Sequence, residues 1–332
     1  PFQCRVNDVV INDVPKFLTN HPTAEDHAIM VVDPDDPTTH LILPLELDGV
    51  VSYLPVHQVT RADFDSGRYS RINMTNKHLT WDPQSSQFLD QEDLIRRMED
   101  HIATVVGRYK GKIDGWDVVN EAFEDDGSWR KTHWYNITGT EFIKAAFRKA
   151  QEADPEAELY YNDYNNEQPK KREGCLALVK KIQAAGVRID GVGIQGHWHK
   201  GRVPLKDIEE SILAYHALGL KVMITELDIE MLPRNFQGAD VGQRQASNPA
   251  LNPYANGIPD SLLQQQANDY ANLFKLFLKH KDKITRVTFW GVDDGQSWLN
   301  GWPVRGRTNY PLLFDRAFQP KPAYHAVMAL KK

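Results

Sequence analysis

Two glutamates, Glu121 and Glu226, each close an apolar run, Val118-Val119-Asn120 before the first and Val222-Met223-Ile224-Thr225 before the second. A carboxylate at the end of a buried strand is costly unless it has a task or a partner. Paired carboxylates suit hydrolysis of a glycosidic bond. One, kept protonated, gives its proton to the departing oxygen, and the other attacks the anomeric carbon. A gap of roughly 5–5.5 Å gives retention of configuration, and roughly 6.5–9.5 Å leaves room for a water and gives inversion. The structural alternative is that each glutamate pairs with an arginine at a sheet rim. On these two residues alone the readings stand even.

The neighbours add weight to chemistry. Asn120 directly precedes Glu121 and offers an amide to a sugar hydroxyl. Gln195, His197 and Asp228 lie at the ends of apolar runs and could orient Glu226. A histidine beside carboxylates favours the ionised form of a nucleophile. The set His197, His199, Glu226 and Asp228 also admits a metal reading. No HExxH pattern with a third ligand accompanies it, so neither a metal nor a cofactor is expected.

These residues need elements to position them, and from about residue 90 the chain supplies an alternation. Asp90 is placed to cap a helix carrying Leu94, Met98, Ile102 and Val106. Strands are expected over Lys112–Asn120, Glu158–Asp163, Asp190–Gly196, Lys221–Asp228 and Ile284–Gly291. Helices are expected from Glu141 to about Ala153, over Lys170–Ala185 and Leu205–Leu218, and over Ser261–His280 with Asp260 as its cap. Thr138-Gly-Thr-Glu141 resembles a capping box. A long loop rich in Asn, Pro and Gly runs to about Pro259. Strands apolar along their whole length are parallel and covered on both faces. The polar residues gather at their C-terminal ends, where barrel enzymes carry their chemistry. The expected fold is therefore α/β, a (β/α)8 TIM barrel whose last five strand–helix units are recognisable. The first three are atypical or missing.

Residues 1–88 read differently, with Pro34, Pro37, Pro44 and Pro55 breaking the stretch. His27–Val32 and His40–Val51 could form two or three strands, without a long helix between them. The chain is thus divided into an atypical segment, 1–88, a candidate replacement for the first three barrel units, and the C-terminal part of a barrel, 89–332.

Composition narrows the classes. Among 332 residues, 39 are basic and 45 acidic, a net charge of -6 that supplies no basic surface for nucleic acid. No window holds eighteen uninterrupted apolar residues, so no membrane helix is expected. The start of the chain lacks the layout of a signal peptide. Two cysteines, Cys4 and Cys175, give no disulfide framework. Eight tryptophans, several in Gly- and Asn-rich stretches, offer flat faces that suit sugars.

Five motifs fall in one order: Trp116-Asp-Val-Val-Asn-Glu121, Tyr161-Asn-Asp-Tyr164-Asn, Gly193-Ile-Gln-Gly-His197, Ile224-Thr-Glu226-Leu-Asp228 and Thr288-Phe-Trp290-Gly. In these the chain resembles glycoside hydrolase family 10, the endo-β-1,4-xylanases, from about residue 90 to its end. The resemblance implies hydrolysis of xylan with retention, Glu121 as acid/base and Glu226 as nucleophile. It further implies that Asn120 contacts the sugar, that His197 bonds the nucleophile and is held by Asp228, and that Gln195 lies beside them. Tyr164 would line the leaving-group side, with Trp290 and Trp298 shaping the sugar floor. Xylan or xylo-oligosaccharides are the implied partners, the protein is expected to be a monomer, and the implied location is secreted or periplasmic.

The family's early strands carry a Glu-Asn-x-x-Lys segment and a strand ending in Trp and His. Leu45-Glu-Leu-Asp48 and Lys77-His-Leu-Thr-Trp81-Asp match neither. Loss of remote sugar contacts lowers transition-state stabilisation, so weak or absent activity is expected unless residues 1–88 rebuild that wall. The alternatives are an inactive carbohydrate-binding remnant or fusion, and a related barrel glycosidase acting on another β-1,4-glycan. Trp129 and Trp134 are open between packing and a sugar platform. Arg305 and Arg307 are read as solvated loop charges before ligands of acidic xylan decorations.

Overall fold

The computed structural model describes residues 89–234, 245–246 and 248–330 with their side chains, and within residues 1–88 the backbone of short strands. Two compact units divide the chain, Pro1–Met98 and Glu99–Lys332.

In the first unit β1 (Cys4–Val6) pairs with β2 (Val9–Ile11), and β3 (Ala28–Val32) with β4 (Thr39–Pro44), which also pairs β5 (Val59–Thr60). β6 (Trp81–Asp82) pairs with β7 (Gln87–Phe88). Every one of these pairings is antiparallel. β3 and β4 fall where the apolar runs placed strands. The remainder of the expectation for 1–88 lies outside the described residues.

Helix α1 (Gln91–Arg108) is capped as its sequence implies, the Asp90 carboxylate accepting the Asp93 N–H at 2.9 Å. The second unit then alternates: β8 (Gly115–Asn120), α2 (His133–Thr138), α3 (Glu141–Ala153), β9 (Glu158–Asp163), α4 (Pro169–Ala184), β10 (Gly191–Ile194), β11 (His197–His199), α5 (Leu205–His216), β12 (Lys221–Glu230), α6 (Asp260–Lys279), β13 (Ile284–Phe289) and α7 (Pro322–Met328). The sheet runs β8-β9-β10-β12-β13 with every pair parallel, and β11 continues the path of β10 beside β12. All five expected strands are present. Consecutive strands lie side by side because each crossover helix returns the chain to the next position.

Burial explains the pattern. Leu159, Tyr160, Tyr161, Val192, Ile194, Val222 and Ile224 are closed off from solvent, as parallel strands covered by helices require. On α3, Ile143, Ala146, Phe147 and Ala150 form one apolar stripe and are buried. Each large side chain so buried contributes about 1.5–3 kcal/mol.

Some local expectations change. Thr138 ends α2 and its hydroxyl donates to the Trp134 carbonyl at 2.8 Å, so no capping box forms. Thr140, at the cap of α3 with φ -100° and ψ 1°, is not extended and makes no side-chain cap, while Glu141 pairs with Lys144 at 2.7 Å. Asp260 is the first residue of α6, and Pro259 occupies the cap. Helix α7, not foreseen, opens on Pro322, whose fixed φ suits a first helical turn.

Candidate active site

Glu121 leaves the end of β8 in the left-handed region, φ +57°. That conformation costs an L-residue about 1–2 kcal/mol, so its surroundings must hold it. The Glu121 N–H donates to the Asn162 carbonyl at 2.9 Å, and the Arg130 N–H to the Ala122 carbonyl at 2.9 Å. The Ala122 N–H donates to the Tyr161 hydroxyl at 3.1 Å. The side chain is held at both oxygens. Gln195 Nε2 donates to Oε1 at 3.0 Å and Arg130 Nη1 to Oε2 at 3.0 Å.

Glu226 sits on β12, where its backbone N–H donates to the Gln195 carbonyl at 2.8 Å. Its Oε1 accepts from Asn162 Nδ2 at 3.1 Å, and His197 Nε2 lies 3.2 Å from Oε2. His197 Nδ1 is 3.0 Å from Asp228 Oδ1, and Asp228 Oδ2 accepts from Trp298 Nε1 at 2.8 Å. Burial of His197 opposes its protonation, yet the Asp228 and Glu226 carboxylates outweigh it and push the imidazole up to about 10. The imidazole thus lies between two carboxylates, one ring nitrogen facing each.

The Asn120 amide oxygen joins the two halves, accepting from Asn162 Nδ2 at 3.0 Å and from Gln195 Nε2 at 3.3 Å. A hydrogen-bonded path therefore runs Glu121–Gln195–Asn120–Asn162–Glu226. Seven of the nine residues singled out from the sequence belong to this cluster: Asn120, Glu121, Gln195, His197, Glu226, Asp228 and Trp298. Trp298 also stacks on Trp302 at 4.7 Å. Trp290 follows β13 and is 46% exposed, an open aromatic face. Tyr164 is only 3% exposed, and its hydroxyl accepts from Arg130 Nη2 at 2.6 Å, so it reaches Glu121 through Arg130.

Other readings resolve on contacts. The arginine alternative is met at Glu121 by Arg130, whereas Glu226 faces an amide and an imidazole. His199 is engaged by carbonyls, with Nε2 2.9 Å from that of Leu232, and no group of three or more metal-binding side chains occurs among the described residues. Trp129 stacks on Phe123 at 4.3 Å and on Tyr135 at 5.6 Å, a packing role. Trp134 lies tilted against Phe142 at 6.0 Å. Arg305 is exposed, but Arg307 is not the solvated charge expected of a Gly-rich loop. It is 4% exposed and donates to Glu230 Oε1 at 2.7 Å, because the loop folds back over the end of β12.

Sequence reasoning assigned no role to Asn162, Arg130 or Lys171. Asn162 carried a signal, a polar residue closing an otherwise apolar strand. Lys171 is fully buried in α4, paired with Asp163 at 2.9 Å and 3.4 Å above the Tyr164 ring. Burial pushes the Asp163 carboxyl up to about 6 against the pull of Lys171. Neither contact is visible in a helix that reads as amphipathic surface.

Carboxylates held by amides at the C-terminal ends of parallel strands, with helices between the strands, define a barrel glycosidase. The chain belongs to glycosyl hydrolase family 10, whose model matches residues 62–330. With the family comes the (β/α)8 TIM barrel. The match begins at residue 62, so residues 62–88 belong to the family although that segment carries neither of its early-strand signatures. Endo-1,4-beta-xylanase A of Xylanibacter ruminicola is 49% identical over 263 residues, covering 76% of this chain and 71% of that protein. The solved structure of a GH10 endoxylanase retrieved from sugarcane soil metagenome is 47% identical with a TM-score of 0.75, covering 77% of this chain and 74% of that one. A solved mutant in complex with xylotriose is 35% identical with a TM-score of 0.67, covering 76% and 73%.

Proposed function

We propose that the chain is a retaining endo-1,4-β-xylanase acting on internal bonds of xylan or xylo-oligosaccharides. The observation that carries this reading is the hydrogen-bonded path joining Glu121 and Glu226 in a chain 49% identical to an endo-1,4-beta-xylanase. In the proposed course, the Glu226 carboxylate attacks the anomeric carbon and the bond to the leaving sugar breaks. Glu121 gives its proton to the departing oxygen. Glu121, now ionised, takes a proton from water, which attacks the same carbon and releases Glu226. His197, held by Asp228, keeps Glu226 oriented. Gln195 and Asn120 set the spacing, and Asn120 offers its amide to a sugar hydroxyl. Trp298 and Trp290 form the floor, and Tyr164 supports the leaving-group side through Arg130.

The proposed division assigns the last five strand–helix units to residues 89–332 and a substitute for the first three to residues 1–88. Removing residues 1–61, which precede the family match, tests the substitution. Unchanged xylan hydrolysis would show that this part supplies no wall. We further propose a monomer acting outside the cytoplasm, since a long polysaccharide does not cross a membrane unaided. Light scattering and cell fractionation check these two points.

The direct test is release of reducing ends from xylan by the protein and by Glu226→Ala. Equal release by both overturns the reading. Retardation on xylan without hydrolysis would favour a carbohydrate-binding remnant, and faster turnover of mannan or cellulose another β-1,4-glycanase.

A further inference from the structure

Tyr161 is fully buried in β9, beyond the reach of any substrate. Its hydroxyl donates to Asp163 Oδ2, and this commits its single proton. The oxygen is left to accept, and what it accepts is the Ala122 N–H at 3.1 Å. Ala122 directly follows Glu121, the residue held at φ +57°. Asp163 is anchored in turn by the buried Lys171 at 2.9 Å. Lys171 also lies 3.4 Å above the Tyr164 ring, whose hydroxyl holds Arg130, and Arg130 holds Glu121. Two routes, one to the backbone and one to the carboxylate, thus converge on Glu121 from a single buried ion pair.

We infer that Tyr161 is a positioning residue for Glu121, its hydroxyl pinning the Ala122 N–H and so keeping the carboxyl where the leaving oxygen will be. This rests on Glu121 acting as the acid. Without the hydroxyl, the N–H of the 8%-exposed Ala122 loses its partner, an unfavourable state for a buried donor. The backbone is then free to leave the left-handed region and carry the carboxyl with it.

The test is Tyr161→Phe assayed for kcat/KM on xylan and on 2,4-dinitrophenyl β-xylobioside, whose leaving group departs without a proton. On xylan a fall of about tenfold is expected, part of the roughly 10²–10⁴-fold that a positioned general acid contributes. On the dinitrophenyl glycoside the value is expected to stay within about twofold, since no proton transfer is at stake there. Equal losses on both substrates, or no loss on xylan, overturn the inference. If Tyr161→Phe does not fold, Asp163→Asn, which removes the charge orienting the hydroxyl, carries the same comparison. An unmutated protein inactive on both substrates would instead refute the xylanase reading itself.

Discussion

The Asn162 amide reaches Glu226 at 3.1 Å although a whole strand, β10, lies between their own strands. Gly193 of β10 leaves the way open, since a Cβ there would stand 2.3 Å from Asn162 Oδ1 and 2.8 Å from Thr225 Cγ2. The Thr225 hydroxyl fixes the other end of the amide, donating to Asn162 Oδ1 at 2.7 Å. Asn162 therefore presents its two N–H bonds to Asn120 and Glu226 and to no other orientation.

Gly193→Ala is expected to displace Asn162 and to lower kcat on xylan by about a hundredfold, the scale of losing one preorganised donor. Asn162→Asp should cost more than Asn162→Ala despite its matching shape, because it sets a second carboxylate against Glu226. Steady-state kinetics of the three variants check the order.

Glu226→Gln is expected to remove roughly 10⁴–10⁶-fold of kcat, the scale seen when a covalent nucleophile is deleted. With the unmutated protein, proton NMR of the first product should show the β anomer before mutarotation. An initial α anomer would mean inversion and would remove Glu226 from the nucleophile's role.

The imidazole of His197 is raised from 6.5 to about 10 in the folded protein. A group whose folded pKa is raised stabilises fully below the unfolded value and loses that contribution as pH climbs. Urea midpoints should therefore decline between about pH 6.5 and about pH 10, and this part of the slope should vanish in His197→Gln. A flat profile in the unmutated protein would contradict the assignment.

Arg307 contacts Glu230 at 2.7 Å with both side chains nearly inaccessible. Burial raises the Glu230 carboxyl, and Arg234, at 3.3 Å, and Arg307 oppose it. Arg307→Met leaves one of these two cations, so a loss of about 3 kcal/mol of stability is expected, at the low end for breaking a buried pair. Chemical denaturation measures it. Relative rates on acidic and undecorated xylan should not change, whereas a decoration-binding arginine would shift them.

Much of this protein was legible in its residues. Apolar runs closed by Asn120-Glu121, Gln195, Glu226 and Asp228 specify parallel strands with polar ends, because only a strand covered on both faces is apolar throughout. The two carboxylates alone left the chemistry even between a task and an arginine partner. The neighbours Asn120, Gln195, His197 and Asp228, with the five ordered motifs, tipped it to glycoside hydrolysis. What the tertiary structure alone decided is which groups meet. Asn162 and Glu226 stand 64 positions apart and touch only through the parallel register and the missing side chain at Gly193. The left-handed turn at Glu121, the buried Lys171 beneath Tyr164 and the inward fold of Arg307 obey no local spacing rule. Each depends on helices and loops returning from distant parts of the chain, and contacts of that kind are set by packing rather than by neighbouring residues.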